Sequence, residues 1–294
     1  YLYGRIGSLE VLEASIEANE IAAADTSAAP PQRALYLDGL ATGLRDRYMR
    51  TRDVRDLERS IDLIREAIKL VPDNSPNQAL YHDHLGSCVR SLYEWMDEFQ
   101  VLETAISAHQ FAVDHTSDDS PAMMGYQNNL GNALHDRYAR THEKDDLVGA
   151  LASWKAAIER APADSPHLAM YFSNYGNGLA NLYTLTDEPK HLDDAIEAYE
   201  KAVVQIARTA PDFPDRAGYL YNLATSLSDR HRLTPGPADL AAAIAVFEDA
   251  IAALDQALLD SPVAYLLGQQ SRWVNLYDRA VTALLAAGRT ADAL

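Results

Sequence analysis

The stretch Ser120-Pro121-Ala-Met-Met-Gly-Tyr126-Gln-Asn-Asn-Leu130-Gly131-Asn-Ala-Leu134-His-Asp136-Arg137-Tyr138-Ala-Arg-Thr141, continued by Asp146-Leu147-Val-Gly-Ala150-Leu151-Ala-Ser-Trp154-Lys-Ala-Ala157-Ile158-Glu-Arg160-Ala-Pro162, decides the fold. Tyr126, Leu130, Ala133, Leu134 and Tyr138 recur at three- and four-residue steps, as do Leu147, Ala150, Leu151, Trp154, Ala157 and Ile158. That spacing gathers each set on one stripe of a helix, and the stripe must be buried. Ser120-Pro121 predicts a helix start near Pro121, because proline at the first position gives up no useful N–H and the serine can accept from an orphan amide. Polar Thr141 to Asp145 makes the turn, and Pro162 stops the second helix. The small Gly131 and Ala150 let two backbones approach, so the stretch reads as one helical hairpin.

Outward from this hairpin the same unit recurs. Prolines at 31, 76, 121 and 166 and tyrosines at 36, 81, 126 and 171 are each 45 residues apart. Two independent columns at one period mark a repeat architecture. The next step, Tyr171 to Tyr219 and Pro166 to Pro214, is 48, which places a three-residue insertion near Gln205 to Phe213, in a turn. Pro214 to Pro262 is again 48, after which Leu267 replaces the tyrosine and Gly288 to Leu294 reads as the turn into another second helix. At the other end Tyr3 to Leu12 aligns with Tyr48 to Leu57, so the chain opens inside a unit and without an initiator methionine, as a segment of a longer protein would. The expected organisation is one array: a partial unit over 1–30, units over 31–75, 76–120, 121–165, 166–213 and 214–261, and a divergent end over 262–294.

Composition limits what such an array can do. The 294 residues are 48% hydrophobic and 23% charged with 14 Gly and 13 Pro, a balance of folded rather than disordered chains. No apolar run approaches the ~18 residues a bilayer span needs. The formal net charge of -18 argues against nucleic acid and anionic membranes, which select clustered Lys and Arg. It fits solubility of a long surface, with a basic protein or peptide partner as the alternative. A single Cys allows no internal disulfide and suits a reducing, cytoplasmic setting.

The array resembles the tetratricopeptide repeat family over nearly its whole length. The family's Leu-Gly or Leu-Ala pair is matched by Leu40-Ala41, Leu85-Gly86, Leu130-Gly131, Tyr175-Gly176 and Leu223-Ala224. Its Ala, aromatic, Ala, Pro signature is matched by Ala150, Trp154, Ala157 and Pro162, and more loosely by Ser60, Ile64, Ala67 and Pro72, by Ala195, Tyr199 and Ala202, and by Ala243, Phe247 and Ala250. The period of 45 exceeds the family's usual ~34. Asn129 to Tyr138, Thr141 to Asp145 and Asp146 to Leu151 are similar to the long repeats that precede caspase-like CHAT protease domains. That similarity implies a regulatory or substrate-recruiting array whose protease lies outside this segment. The fold implied is an all-α right-handed solenoid of about six hairpins, five of them well formed.

In this family a groove is lined by positions at set distances from the Leu of each first helix. Two before it stand Asp38, Asp83, Asn128, Ser173 and Tyr221; two after it, Thr42, Ser87, Asn132, Asn177 and Thr225. Five after it are Arg45, Arg90, His135, Ala180 and Ser228; six after it, Asp46, Ser91, Asp136, Asn181 and Asp229. These columns are polar between apolar ones, as a peptide-binding wall requires, and Asn132 with Asn177 could hold successive peptide groups of an extended ligand. The other reading is a solvated face. Asp38 and Asp83 stand where carboxylate-clamping relatives carry lysines, so that clamp is not expected. Arg45 and Arg90 among Asp38, Asp46 and Asp83 read as structural ion pairs, and Asp-Arg-Tyr at 46–48 and 136–138 as helix-end architecture.

An enzyme reading has one foothold: His84 and Cys88 lie four apart, with His82 nearby, a spacing open to a metal site or a Cys–His pair. Nothing completes it, and no His-Glu-x-x-His, phosphate loop or Cys-x-x-Cys is present. A buried thiol is the simpler reading. The chain is therefore expected to be a non-enzymatic protein-interaction module without cofactor or metal, binding a peptide or partner domain. The alternative is an architectural scaffold that self-associates through uncapped ends.

Overall fold

The computed structural model describes residues 9–25, 27–210, 215–260 and 270–289. Pro214, Pro262, Leu267, the Tyr3 to Ser8 part of the first alignment and 290–294 lie outside the described residues. The fold is an all-α helical-repeat solenoid, with twelve helices and no strand among the described residues. These are α1 (Leu9–Ala24), α2 (Pro30–Thr51), α3 (Val54–Leu70), α4 (Asn77–Met96), α5 (Phe99–Asp114), α6 (Met123–Thr141), α7 (Lys144–Arg160), α8 (Leu168–Thr186), α9 (Pro189–Thr209), α10 (Arg216–Leu233), α11 (Pro237–Asp260) and α12 (Gln270–Ala286).

The chain divides into two compact units, Tyr1–Glu143 and Lys144–Leu294. In the first, each helix from α1 to α6 packs on the next, and the first helices α2, α4 and α6 also touch in sequence. In the second, α7 to α12 do the same, with α10 touching both α8 and α12. Each unit has its own principal apolar cluster, one including Ala34, Leu37, Val89 and Ala105, the other running from Leu179 to Leu284, with smaller clusters beside them.

The punctuation explains why the helices fall where they do. Ser75, Ser120 and Ser165 each accept, through Oγ, the amide N–H two residues on, at 3.3 Å in every case. The serine-proline pair thus forms a turn ahead of the helix, and α6 starts at Met123 rather than at Pro121. At the other end Arg52, Asp97, His142 and Asp187 take left-handed φ values of 60, 54, 59 and 57°, donating their N–H groups to the carbonyls of Tyr48, Tyr93, Tyr138 and Tyr183. That conformation ends the helix and reverses the chain. In the fifth unit Pro235 stands at the corresponding place, where its ring forbids positive φ, and Thr234 caps instead.

The insertion near Gln205 to Phe213 does not stay in the turn. The helix α9 runs on to Thr209 and has 21 residues where α7 has 17. Gln205 turns its amide onto the carbonyls of Ala163 and Ser165 at 2.9 and 3.3 Å. Arg208 of the additional turn donates to the same Ala163 carbonyl and to Gln205 Oε1, so the extension is anchored on the connection that precedes α8.

Within each hairpin the Leu-Gly pair sets the closest approach. A Cβ on Gly86 would sit 2.7 Å from the His109 ring, and one on Gly176 2.7 Å from the Tyr199 ring. The glycine is required because the bulky column of the second helix fills the space a side chain would take.

Candidate functional site

The polar columns of the first helices divide into two groups. Asp38, Asp83, Asn128 and Ser173, expected to line a water-facing wall, are buried, at 7, 6, 3 and 4% exposure. The reason lies in helical neighbours: Asp38 stands between Ala34 and Ala41, Asp83 between Ala79 and Gly86, Ser173 between Ala169 and Gly176. That stripe of small residues is where an adjoining helix comes close, so these side chains face protein.

Their burial is tolerated because each is hydrogen-bonded. His84 Nδ1 lies 2.6 Å from Asp38 Oδ1, and Asn129 Nδ2 donates to both Asp83 oxygens at 3.0 Å. In the second unit Asn222 Nδ2 reaches Ser173 Oγ at 3.5 Å and Asn177 Oδ1 at 3.1 Å. His84, Asn129 and Asn222 each directly precede the Leu of the next first helix. At Asp38, Asp83 and Ser173 the column two before the Leu therefore works as a ladder that ties one first helix to the next, whereas Asn128 donates to its own neighbour Asn129 at 3.3 Å. His109 Nδ1 adds a contact of 2.8 Å to Asp83 from the second helix of the same hairpin.

Charge follows this geometry. Burial would raise the Asp83 pKa, but the His109 and Asn129 hydrogen bonds and the nearby His84 outweigh it and hold the carboxyl below its ordinary value. Burial likewise works against the His84 imidazolium, yet the Asp38 contact raises its pKa. His135 is held low by burial, although Asp136 pulls the other way.

Sequence reasoning misses His109, although a signal for it is present. Ala105, His109 and Ala112 stand 45 residues from Ser60, Ile64 and Ala67 and from Ala150, Trp154 and Ala157. Histidine thus occupies the position that is apolar or aromatic in the other second helices.

The arginines end up in ion pairs. Arg90 Nε meets Asp136 at 2.6 Å and its Nη2 meets Glu94 at 3.4 Å. Arg47 grips Asp56 with two hydrogen bonds of 2.8 and 2.6 Å and reaches Glu13 of the preceding second helix at 3.0 Å. Arg230 repeats this with Asp239 and Asp193. Arg47 and Arg230 are thus three-helix clasps, each gripping the acid that opens the next second helix, and Arg137 meets Glu103 of the preceding second helix at 3.0 Å.

The remaining groove positions are half-buried: Thr42, Arg45, Ser87, Asn132, His135 and Asp136 in the first unit, Asn177, Asn181, Tyr221 and Thr225 in the second. Asn177 spends its Oδ1 on Tyr199 Oη at 2.8 Å as well as on Asn222. The peptide-bridging role expected of its paired donor and acceptor is therefore met by protein on the acceptor side. The structure brings Asn181, Tyr221 and Thr225 together around a cleft of about 250 Å³ between α8 and α10, which Tyr183, Asn222, Asp229 and Arg232 also line. Asp229 there is shared by Arg232 at 3.2 Å and Arg279 at 3.3 Å.

His84 and Cys88 make no catalytic or metal site in this geometry. Burial pushes the Cys88 thiol up to about 12, and His84 is engaged by Asp38. His82 stacks on Phe111 at 3.9 Å, and Phe111 on His115 at 3.8 Å. No group of three or more metal-ligating side chains and no helix long and apolar enough to cross a membrane occurs among the described residues.

No protein-family model matches the chain, and no curated protein is similar enough to count as a relative. Solved structures do match. BtubC (BKLC) from P. vanneervenii is 16% identical with a TM-score of 0.53, over 85% of this chain and 90% of that one. TTC0263, a thermophilic TPR protein from Thermus thermophilus, is 19% identical with a TM-score of 0.51, over 86% and 99%. A putative kinesin light chain from Podosopora anserina with nearly identical TPR-like repeats is 15% identical with a TM-score of 0.51, over 78% and 97%. The hairpin array of this chain thus has the fold of tetratricopeptide-like repeat proteins.

Proposed function

We propose that the chain is a protein-interaction module whose first-helix wall binds an extended peptide or a loop of a partner protein. The observation that carries this reading is the α8–α10 cleft, where Asn181, Tyr221, Asn222 and Thr225 converge on one concavity. Amide and hydroxyl groups beside a tyrosine ring suit a peptide backbone and one side chain. The effector that the module serves is a CHAT-type protease domain outside this segment, a reading supported by the likeness of Asn129 to Tyr138 and Asp146 to Leu151 to such arrays. The test is quantitative partner recovery with intact chain and with Asn181→Ala/Tyr221→Ala. Loss of the same partner supports the wall, and unchanged recovery rejects it.

One observation favours the second reading, a self-associating scaffold. The helix α12 buries Leu276, Ala280 and Leu284 yet exposes Val274, Tyr277, Val281 and Leu285 on a second face. Sedimentation of Val281→Glu/Leu285→Glu tests it: a drop in mass relative to the parent supports assembly through this face, and identical mass sinks it.

A further inference from the structure

In the first unit a second cleft lies away from the first-helix wall. The helix α3, the end of α4 and the start of α5 enclose about 330 Å³. Ile61, Val89, Leu92 and Val101 supply an apolar lining, of which Ile61 and Val89 are buried. Glu58, Asp62 and Glu98 stand exposed at its edge. The one cation among the lining residues, Arg65, leans towards Asp62 at 3.8 Å. Glu58 and Glu98 meet no cationic side chain among the described residues.

The second unit provides an internal control. Ninety residues on, Glu58, Asp62, Gln100 and Val101 correspond to Val148, Ala152, Lys190 and His191. There the acids have partners within the chain, Lys190 on Asp194 at 2.6 Å and the His191 ring on Glu188 at 3.4 Å. An acid-edged apolar cleft is therefore not a property of the repeat. It belongs to α3–α5, where Arg65 alone among the described cations approaches the acidic edge.

The hairpin tip beside that cleft departs from the repeat in the same direction. Thr51, Thr141 and Thr186 close the other tips by accepting an amide N–H, at 3.3, 3.2 and 3.4 Å. Here Met96 stands in place of the threonine, and Trp95 puts an aromatic ring where two hairpins carry Arg50 and Arg140 and two carry Leu185 and Leu233. Trp95, Met96 and Phe99 are 59, 38 and 44% exposed, on both sides of Glu98. Exposed aromatic groups beside uncompensated carboxylates form a surface for apolar groups flanked by cations.

We infer that the α3–α5 cleft is a second docking site, for a short basic segment of a partner protein with Lys or Arg on either side of an aliphatic or aromatic anchor. The anchor enters between Ile61 and Val101, and the cations face Glu58, Asp62 and Glu98. The volume is at the low end of the ~300–1,000 Å³ of ligand sites, which admits one or two side chains rather than a folded surface. A second copy of this chain, at a formal net charge of -18, would bring acid to acid.

The test is selection of a randomised twelve-residue peptide library on the immobilised intact chain, after depletion on the Asp62→Lys/Glu98→Lys variant. Both substituted residues are exposed, and matching thermal melts establish that the variant folds. The expected pool is enriched in Lys and Arg around an apolar residue. Its members, measured by fluorescence anisotropy, bind the charge-reversed variant at least tenfold more weakly and lose affinity with added salt. The variant Val101→His, which copies the second unit, weakens them by a similar factor. A pool without basic enrichment, or binding to the charge-reversed variant within threefold of the parent, overturns the inference. So does a pool weakened by Asn181→Ala and not by Asp62→Lys/Glu98→Lys.

Discussion

Replacing Asp83 by serine, the residue that the chain itself uses at the corresponding position 173, tests the ladder most directly. Asp83 accepts from Asn129 Nδ2 through both oxygens at 3.0 Å and meets His109 Nδ1 at 2.8 Å, while His109 is only 1% exposed. Serine offers one oxygen on a shorter side chain in place of the two that take these three contacts, so at least one of the buried polar groups loses its present partner. Hydrogen bonds to a buried carboxylate are worth roughly 1.5–3 kcal/mol each, and the surviving hydroxyl returns about 1 kcal/mol, leaving a loss of ~3 kcal/mol. At ~2–4 °C per kcal/mol for a unit of this size, the melting temperature falls by ~6–12 °C. Urea denaturation and thermal circular dichroism of the intact chain read both quantities. The informative companion is Asp83→Ser/His109→Tyr, which installs the pairing of Ser173 and Tyr199 from the fourth hairpin. It removes the unmet imidazole and should recover at least half the loss. A single variant that loses under ~0.5 kcal/mol, or a double variant no better than the single, would refute the claim that this ladder holds successive first helices together.

Other consequences follow from the same geometry. Gly86→Ala drives a Cβ to 2.7 Å from a His109 ring that Asp83 holds in place; overpacking of ~1–3 kcal/mol outweighs the ~1 kcal/mol propensity gain, so urea midpoints should fall or at best hold. Arg52→Gly relieves a left-handed residue at φ 60° and should stabilise by ~0.5–1 kcal/mol in the same assay, with an unchanged or lower stability counting against it. Cys88, buried and with its thiol pushed up to about 12, should resist a disulfide reagent at pH 8 until denaturant is added, and rapid native labelling would contradict its placement. His84 has a folded pKa above its ordinary value of about 6.5. Its contribution is therefore complete below pH ~6.5 and lost as pH rises through the folded value. Denaturation between pH 6 and 9 should show a decline in stability that His84→Gln flattens, and an identical slope in the two proteins removes the assignment.

The periodic features were legible because each is local. A serine-proline turn, a stripe at three- and four-residue steps and a polar hairpin tip are determined by neighbours within one helical turn, and α2 to α8 follow them. Which polar column faces water is not local, since it depends on how the next hairpin is seated. The family's spacing placed Asp38, Asp83, Asn128 and Ser173 on the wall, and the seating buries them. A clue lay in the chain all the same. Each has a small residue three positions ahead, Ala41, Gly86, Gly131 and Gly176, and a small residue on a helix face marks a close approach of backbones. The α9 extension escaped notice for a different reason: an insertion of about one helical turn, ~3.6 residues, keeps the stripe in register and so can lengthen a helix without breaking its pattern.

Burial of that column also narrows the part of the first-helix wall left open. Polar groups near the middle of the first helices are consumed by the ladder, as Ser173 and Asn177 are by Asn222. The C-terminal half of those helices borders the cleft instead, through Asn181 of α8 and Thr225 and Asp229 of α10, and the proposed peptide would have to dock there. The division of labour has a physical basis. A polar group bonded from one first helix to the next within a unit, as at Asp38, Asp83 and Ser173, specifies the register of one hairpin on the next, and a ligand competing for it would have to break the array. One turn further along, Asp229 still links α10 to α12 through Arg279, whereas Asn181 and Thr225 stand half-buried at the cleft, so under the proposed reading substituting those two perturbs recognition while the ladder keeps its bonds.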